Sequence, residues 1–360
     1  FELGADAVRL LGGPLADTAR TITDAEFDSA VAALRRAKPD ATFLTALRRG
    51  NVHGALAMGL TPGFLPGGRP LSTDLDGWAM SPATAGLDTQ GILEAAVNGS
   101  LDTLVLLGAD PLCDFPDAKL ALAAFERTGT VVSVDSFMTT STERADVILP
   151  AAMFGEVDGT FMNLEGRISP VRAKVTAPGQ ARPDWMIAAE IATAAGGDLG
   201  YARLDDVRAD ISATIPAFDE LDWNASGAAV DGPVVGLDGT IELSLSETAP
   251  IPPADDYGLR LVVDRKLWDN GTMVSFSASL SQLVDDTVLT VAPADLARLG
   301  GESGAEVHMS IAGGESHAIT VLADARIPVG VAHLPFGLNG VSAQELMTAG
   351  EPVVDVRVQV

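Results

Sequence analysis

The sequence predicts an α/β fold in which Rossmann-like parallel-sheet regions are followed by a small closed β-barrel. Three observations predict it. Short apolar runs alternate with amphipathic helical stretches through the first two hundred residues, the rhythm of strands covered on both faces by helices. From residue 259 the hydrophobic period changes to two, in many short strands separated by Gly-rich turns. Between these parts, residues 204–256 carry twelve acidic residues and one basic residue, Arg208, together with five prolines. That stretch reads as an acidic insertion and linker with at most a helix and a short hairpin over 234–243. The expected division is therefore 1–203, with a sub-domain break near 70–88, then 204–256, then a barrel over 257–360.

The elements follow in order. Thr23 and Glu26 have the spacing of a capping box, the Thr oxygen taking a free amide while the Glu reaches back. Phe27, Val31 and Leu34 then share one helical face, and Lys38-Pro39 ends the segment. Residues 41–45 read as a strand, and 60–68, rich in Pro and Gly, as a loop. A helix over 89–97 stops at Asn98-Gly99, and a strand over 103–107 ends in Gly108. A helix over 116–127 carries Leu120, Leu122 and Phe125 and closes at Gly129. Strands follow over 131–135 and 145–149, then a helix over 184–195 with an Asp cap at its start and Gly196-Gly197 at its end. In the last part, strands are expected over 259–263, 288–291, 307–311, 317–321 and 331–334, with one helical stretch over 293–299.

Composition excludes several functions. The 360 residues include 23 Lys+Arg and 49 Asp+Glu, a net charge of −26. That balance opposes nucleic-acid binding and docking on anionic lipid, both of which need surplus Lys and Arg. The single cysteine excludes a disulfide framework and a self-contained four-cysteine metal or cluster site. No apolar run approaches the length of a membrane span, so direct membrane insertion is not expected. The start at Phe1 lacks a basic, apolar leader and reads as that of a fragment or processed product. His53, His308, His317 and His333 are scattered singly without H-x-x-H spacing, which argues against a metal site.

The candidate site residues sit on loops. Gly108 and Asp110 belong to GADP (108–111), at the carboxyl end of a buried strand, where open α/β sheets bind ligands. By itself this reads first as an ordinary strand-to-loop turn. The segment TSTERADVILP (140–150) supplies Glu143. It leads to EVDGT (156–160) with Glu156 and Thr160, NLEGR (163–167) with Asn163 and Arg167, and RPDW (182–185). Polar side chains on such loops suit a polar ligand with fixed donors. Equally, Glu143, Arg144, Glu156 and Arg167 suit mutual ion pairs that hold the loops. Asp110, Asp114 and Asp117 read as a solvated loop and helix-start cluster, and Cys113 as a free, non-ligating thiol.

Those motifs together resemble the molybdopterin oxidoreductase superfamily. GNVHGALAMGLTPGFLPGG (50–68) and RKLWDNGT (265–272) are similar, more narrowly, to the family of large iron–sulfur subunits of NADH:quinone oxidoreductase, the G subunits of bacterial complex I. DLARLG (295–300) and PFG (335–337) resemble the superfamily's molybdopterin-dinucleotide-binding barrel, which implies that the barrel is of the double-psi type. The resemblance covers most of the chain, with 204–256 its least diagnostic part. It implies the half of such a subunit without redox centres: no catalytic residue, no metal and no cofactor here, with the iron–sulfur clusters in a separate N-terminal half. Gly108, Asp110, Glu143, Glu156, Thr160, Asn163 and Arg167 are then the residues of a vestigial pterin cleft. The implied partners are that cluster-bearing half and other peripheral-arm subunits of complex I, at the cytoplasmic, inner face of the plasma membrane. The alternative is the C-terminal half of a catalytic enzyme of the formate dehydrogenase or nitrate reductase kind, holding a molybdopterin guanine dinucleotide. A third reading is a free-standing acidic binding protein on the same fold.

Overall fold

A computed structural model describes residues 50–73, 82–223, 232–236, 258–349, 351 and 353–360. The chain forms two compact units, each assembled from two separated segments: Phe1–Asp88 with Ala152–Thr248, and Thr89–Ala151 with Ala249–Val360. The expected capping box at Thr23, the helix that follows it, the strand over 41–45 and most of the hairpin over 234–243 lie outside the described residues.

In the first unit, helix Val52–Ala57 opens on Asn51, whose backbone is left-handed at φ 62°. The Asn51 side chain accepts a hydrogen bond from the Met162 amide at 2.9 Å, tying this helix to the hairpin of strands Gly159–Met162 and Ile168–Val171. A Cβ on Gly54 would stand 2.1 Å from Asn51 Oδ1, so the motif's second glycine makes room for that side chain. The stretch expected as a loop over 60–68 instead holds one partner of a two-residue strand pair, Phe64–Leu65 against Arg69–Pro70. Helix Leu204–Thr214 brings Ile211 to a core that contains Ala57, Met162, Ile168, Ile215 and Phe218. The Trp223 ring stacks on Phe218, and the Arg208 guanidinium lies 5.8 Å from the Trp223 ring centroid. The acidic stretch thus begins with ordered, partly buried structure, because its Ile and Phe residues fall where a helix can bury them.

In the second unit, strands Thr103–Leu107, Thr130–Asp135 and Val147–Pro150 form a parallel sheet, with Thr130–Asp135 in the middle. Helices Thr89–Val97 and Ala118–Arg127 pack together through Leu93, Ala96, Ala121 and Ala124, where small residues let the helix axes approach. Leu104, Leu106 and Val131 are buried with Phe125. The sequence predicts a sheet covered on both faces, and here the structure differs. Val105 (59% exposed), Leu107 and Val147 project from the opposite face, where Val134 is buried, so that second face is covered only in part among the described residues. The helix expected from 116 starts at Ala118, capped by Asp117, which accepts from the Leu120 amide at 2.9 Å. The Asp cap expected at Asp184 is also corrected. Pro183 occupies the cap position of helix Asp184–Ala194, and no side chain caps it.

The rest of this unit is a closed barrel of six strands, Leu259–Arg265, Val288–Val291, Glu306–Ile311, Ser316–Ala323, Val331–Phe336 and Val354–Gln359. Strands 288–291 and 316–323 run parallel, as do 259–265 and 331–336, and the remaining neighbours are antiparallel. Alternate residues point inward, so Leu289, Val291, Val307, Met309, Val321 and Leu334 are fully buried while their neighbours face outward. Helix Pro293–Leu299 ends at Gly300 in the left-handed conformation (φ 77°). Its buried Asp295 accepts from the Gly330 amide at 2.7 Å and pairs with Arg298, fixing the helix to the start of strand 331–336. Asp295 and Gly300 of the DLARLG motif are thereby explained as structure. Among the described residues no helix is long and apolar enough to cross a membrane.

Leu334→Ala removes a fully buried side chain from the barrel and leaves a cavity. We expect a loss of about 3 kcal/mol, read as a lower urea midpoint for the barrel signal.

Candidate functional site

In the second unit, strand 103–107 ends at Gly108, left-handed at φ 56° and exposed, whose amide donates to the Val134 carbonyl at 2.9 Å. Pro111–Asp114 follows as a single helical turn. Asp110 is 8% exposed, and its carboxylate accepts from the Ser141 amide at 3.0 Å and the Ser141 hydroxyl at 2.5 Å. The Ser141 hydroxyl in turn accepts from the Leu112 amide at 3.1 Å. Below it, Ser133, Thr139 and Thr142 are buried and share hydroxyl hydrogen bonds of 2.9 Å. A buried polar network of this kind holds its loops because each broken link would strand an unpaired group. Sequence reasoning misses Ser133, Thr139, Ser141 and Thr142. The only signal for them is the density of hydroxyls in 139–142, shortly after a strand.

The expected solvated cluster of Asp110, Asp114 and Asp117 is corrected. Asp110 and Asp117 are buried, and each of the three holds a defined partner. Asp117 accepts from the Ala349 amide at 3.0 Å besides capping its helix. Asp114 pairs with Arg265 at 2.7 Å. The same guanidinium pairs with Asp269 at 2.8 Å and lies 4.4 Å over the Phe336 ring. Gln344 adds a bond to the Phe115 carbonyl at 2.6 Å. RKLWDNGT and PFG therefore meet: Arg265 sits on Phe336, and the Asn270 amide donates to the Gly337 carbonyl at 2.6 Å.

These elements enclose a cavity of about 250 Å³ lined by Asp110, Cys113, Asp114, Met138, Thr139, Thr140, Glu143, Asn270, Thr272, Ser275 and Phe276. Glu143 is exposed on the turn Thr142–Arg144 and faces this cavity. No Lys or Arg is among the lining residues. Cys113 is surface-exposed, with its sulfur 3.2 Å from the Thr140 hydroxyl. Partial desolvation in the cavity wall pushes its thiol pKa up; Thr140 opposes this, and the Asp110 and Asp114 charges reinforce it.

The remaining candidates lie in the first unit. Glu156 closes its own turn, accepting from the Met153 amide at 2.9 Å. Thr160 lines a cavity of about 270 Å³ with Phe154, Phe161, Val171 and Asp184. Asn163 accepts from the Glu165 and Arg167 amides, both at 2.9 Å, which shapes the hairpin turn. Arg167 pairs with Glu165 and donates to the Gly232 carbonyl at 2.8 Å. Gly166 of the same motif is left-handed (φ 78°), and a Cβ there would meet the Val235 carbonyl at 2.5 Å. Gly108, Asp110 and Glu143 thus share one unit, and Glu156, Thr160, Asn163 and Arg167 the other. Among the described residues no group of three His, Cys, Asp or Glu side chains is arranged to hold a metal ion.

The family model described as Molybdopterin oxidoreductase matches residues 31–194. The chain is 28% identical over 313 residues to the NADPH-Fe(3+) oxidoreductase subunit alpha of Geobacter sulfurreducens, covering 86% of this chain and 36% of that protein. It is 32% identical over 346 residues to the G subunit of NADH-quinone oxidoreductase from Streptomyces coelicolor, covering 91% and 36% respectively. The chain therefore spans little more than a third of the length of these relatives. Acetylene hydratase from Pelobacter acetylenicus shares the fold at a TM-score of 0.58 and 15% identity, over 77% of this chain and 47% of that one.

Two outcomes are expected. Arg265→Met leaves the Asp114 and Asp269 carboxylates without their cation and should cost about 2 kcal/mol, read by urea denaturation. Iodoacetamide alkylation of Cys113, the chain's single thiol, should reach half its limiting rate at a pH above that of a free thiol. Thr140→Val should move that midpoint higher still, because the hydroxyl that favours the thiolate is gone.

Proposed function

We propose, from the match of the Molybdopterin oxidoreductase model to residues 31–194, that the chain is a structural, non-catalytic region of a complex I G subunit. The parent complex transfers electrons from NADH through FMN and iron–sulfur clusters to quinone. The clusters belong to a separate N-terminal half, and this region packs against that half and against other peripheral-arm subunits, at the cytoplasmic face of the membrane. The 32% identity to the Streptomyces coelicolor relative, sustained over 91% of the chain, supports the assignment.

The cavity wall supports the non-catalytic part of the reading. A molybdopterin dinucleotide brings a pyrophosphate, which proteins hold with Arg or Lys, or with free amides at helix starts. The wall instead presents Asp110, Asp114 and Glu143. Arg265, which pairs with the lining residue Asp114, does not itself line the cavity and is also taken up by Asp269. The start of helix Ala118–Arg127 is closed by the Asp117 carboxylate. These residues do not fit a phosphate group, and we derive no step through the cofactor. What they do fit is a joint, in which each buried carboxylate has a structural donor.

Elemental analysis for molybdenum and tungsten, with pterin fluorescence after oxidation, tests this on the chain and on its assembled parent. Neither metal nor pterin should accompany this region. One metal and one pterin per chain would overturn the reading in favour of a catalytic molybdopterin enzyme. Deleting the region from the parent should lower the yield of assembled complex, whereas unchanged assembly would remove its scaffold role.

A further inference from the structure

The cavity beside Asp110 has an apolar rim that the scaffold reading alone leaves unexplained. Met138 and Phe276 line the cavity, and both are half exposed. Phe276 stacks on Phe137 with ring centroids 4.8 Å apart. Met273, one turn before Phe276, is equally exposed, and Leu267 of the same loop is 83% exposed. Large Met and aromatic side chains grouped in this way mark protein interfaces. At about 250 Å³ the cavity falls below the roughly 300–1,000 Å³ of pockets for small molecules. Its size suits one long side chain.

Charge narrows what can enter. Asp110, Asp114 and Glu143 line the cavity, and no Lys or Arg does. Asp114 is neutralised by Arg265. The Asp110 carboxylate is hydrogen-bonded to a neutral serine. Glu143 has no ion-pair partner among the described residues and stands exposed at the cavity mouth. The ionisable side chains of the lining other than Cys113 are therefore all carboxylates, a wall that suits a cation.

We propose that this cavity and its rim form a docking socket for a basic amphipathic segment of a partner protein. One Arg or Lys side chain of the partner enters the cavity. Its aliphatic stem lies on Met138 and Phe276, and its cation faces Glu143 and Asp110. Arg is the better occupant, since its planar cation also stacks on the Phe137–Phe276 pair. Apolar residues of the same segment cover Met273 and Leu267. The proposal deepens the scaffold reading by naming the chemistry of a partner, and it rests on that reading for the partner's biological setting.

A binding test on the full 360-residue chain is independent of assembly. The probe is a fluorescein-labelled amphipathic peptide of Leu, Ala and Arg, followed by anisotropy, with a second peptide carrying Gln in place of Arg. The Arg peptide should bind at least about tenfold more tightly than the Gln peptide. Glu143→Lys and Met138→Ser should each weaken it about tenfold, whereas Glu306→Lys, a charge reversal on the barrel, should change it less than about twofold. Near-UV circular dichroism confirms that each variant is folded. Equal binding of the two peptides, or an equal loss with Glu306→Lys, overturns the proposal, because the attraction is then non-specific. Sedimentation showing a dimer that Met138→Ser dissociates overturns it in favour of a second copy on this face. Loss of the scaffold reading is visible separately, as assembly of the parent complex unaffected by deletion of the region.

Discussion

One guanidinium organises the second unit. Arg265 leaves the barrel at the end of strand Leu259–Arg265 and reaches Asp114 on the α/β layer, while also holding Asp269 in its own loop and resting on Phe336. Each of these contacts is partly shielded from water, so the charge pairs are stronger than exposed ones and depend on good geometry. The Asp117–Ala349 and Gln344–Phe115 bonds lie near the same turn and make the junction multivalent. A barrel and a layered sheet have no intrinsic preference for one mutual orientation, since hydrophobic contact is non-directional. The directional bonds at residues 114–117 supply that preference. The motifs around Arg265 and Phe336 thus have a structural task that their spacing in sequence does not reveal.

Much of the architecture is legible in the sequence because burial follows periodicity. The barrel strands alternate inward and outward residues, and that alternation predicts five of the six. Strand Val354–Gln359 is missed, although Val354, Val356 and Val358 alternate as well and Gly350 and Pro352 give a turn signal just before it. The helix Thr89–Val97 and the strand Thr103–Leu107 have the bounds that the sequence predicts. Coverage of the sheet's second face is only partial among the described residues, with Val134 buried there. A continuous apolar strand implies two buried faces, whereas Val105 and Leu107 are left open among the described residues.

The candidate site is legible in outline and not in mechanism. Sequence places Asp110 at a strand's carboxyl end, where a ligand is the usual expectation, and the structure gives its carboxylate to Ser141. Asn163 and Arg167 are candidates for a cleft in sequence, and the structure finds both engaged in a hairpin turn and its neighbouring carbonyl. Side-chain partners separated by tens of residues leave no trace in local pattern. Hydroxyls such as those of Ser133 and Thr142 leave still less, because a buried serine looks like a surface serine until its neighbours are known.

The barrel's closure has a consequence for synthesis. Strand Val354–Gln359 pairs with Glu306–Ile311 on one side and with Leu259–Arg265 on the other. Until it has left the ribosome, two strands made much earlier keep a bare hydrogen-bonding edge, and the buried side of the barrel stays open to water. Long-range pairing of this kind is slow and exposes aggregation-prone edges while it waits. Translation stalled before residue 354 would therefore leave a nearly complete domain in its most adhesive state.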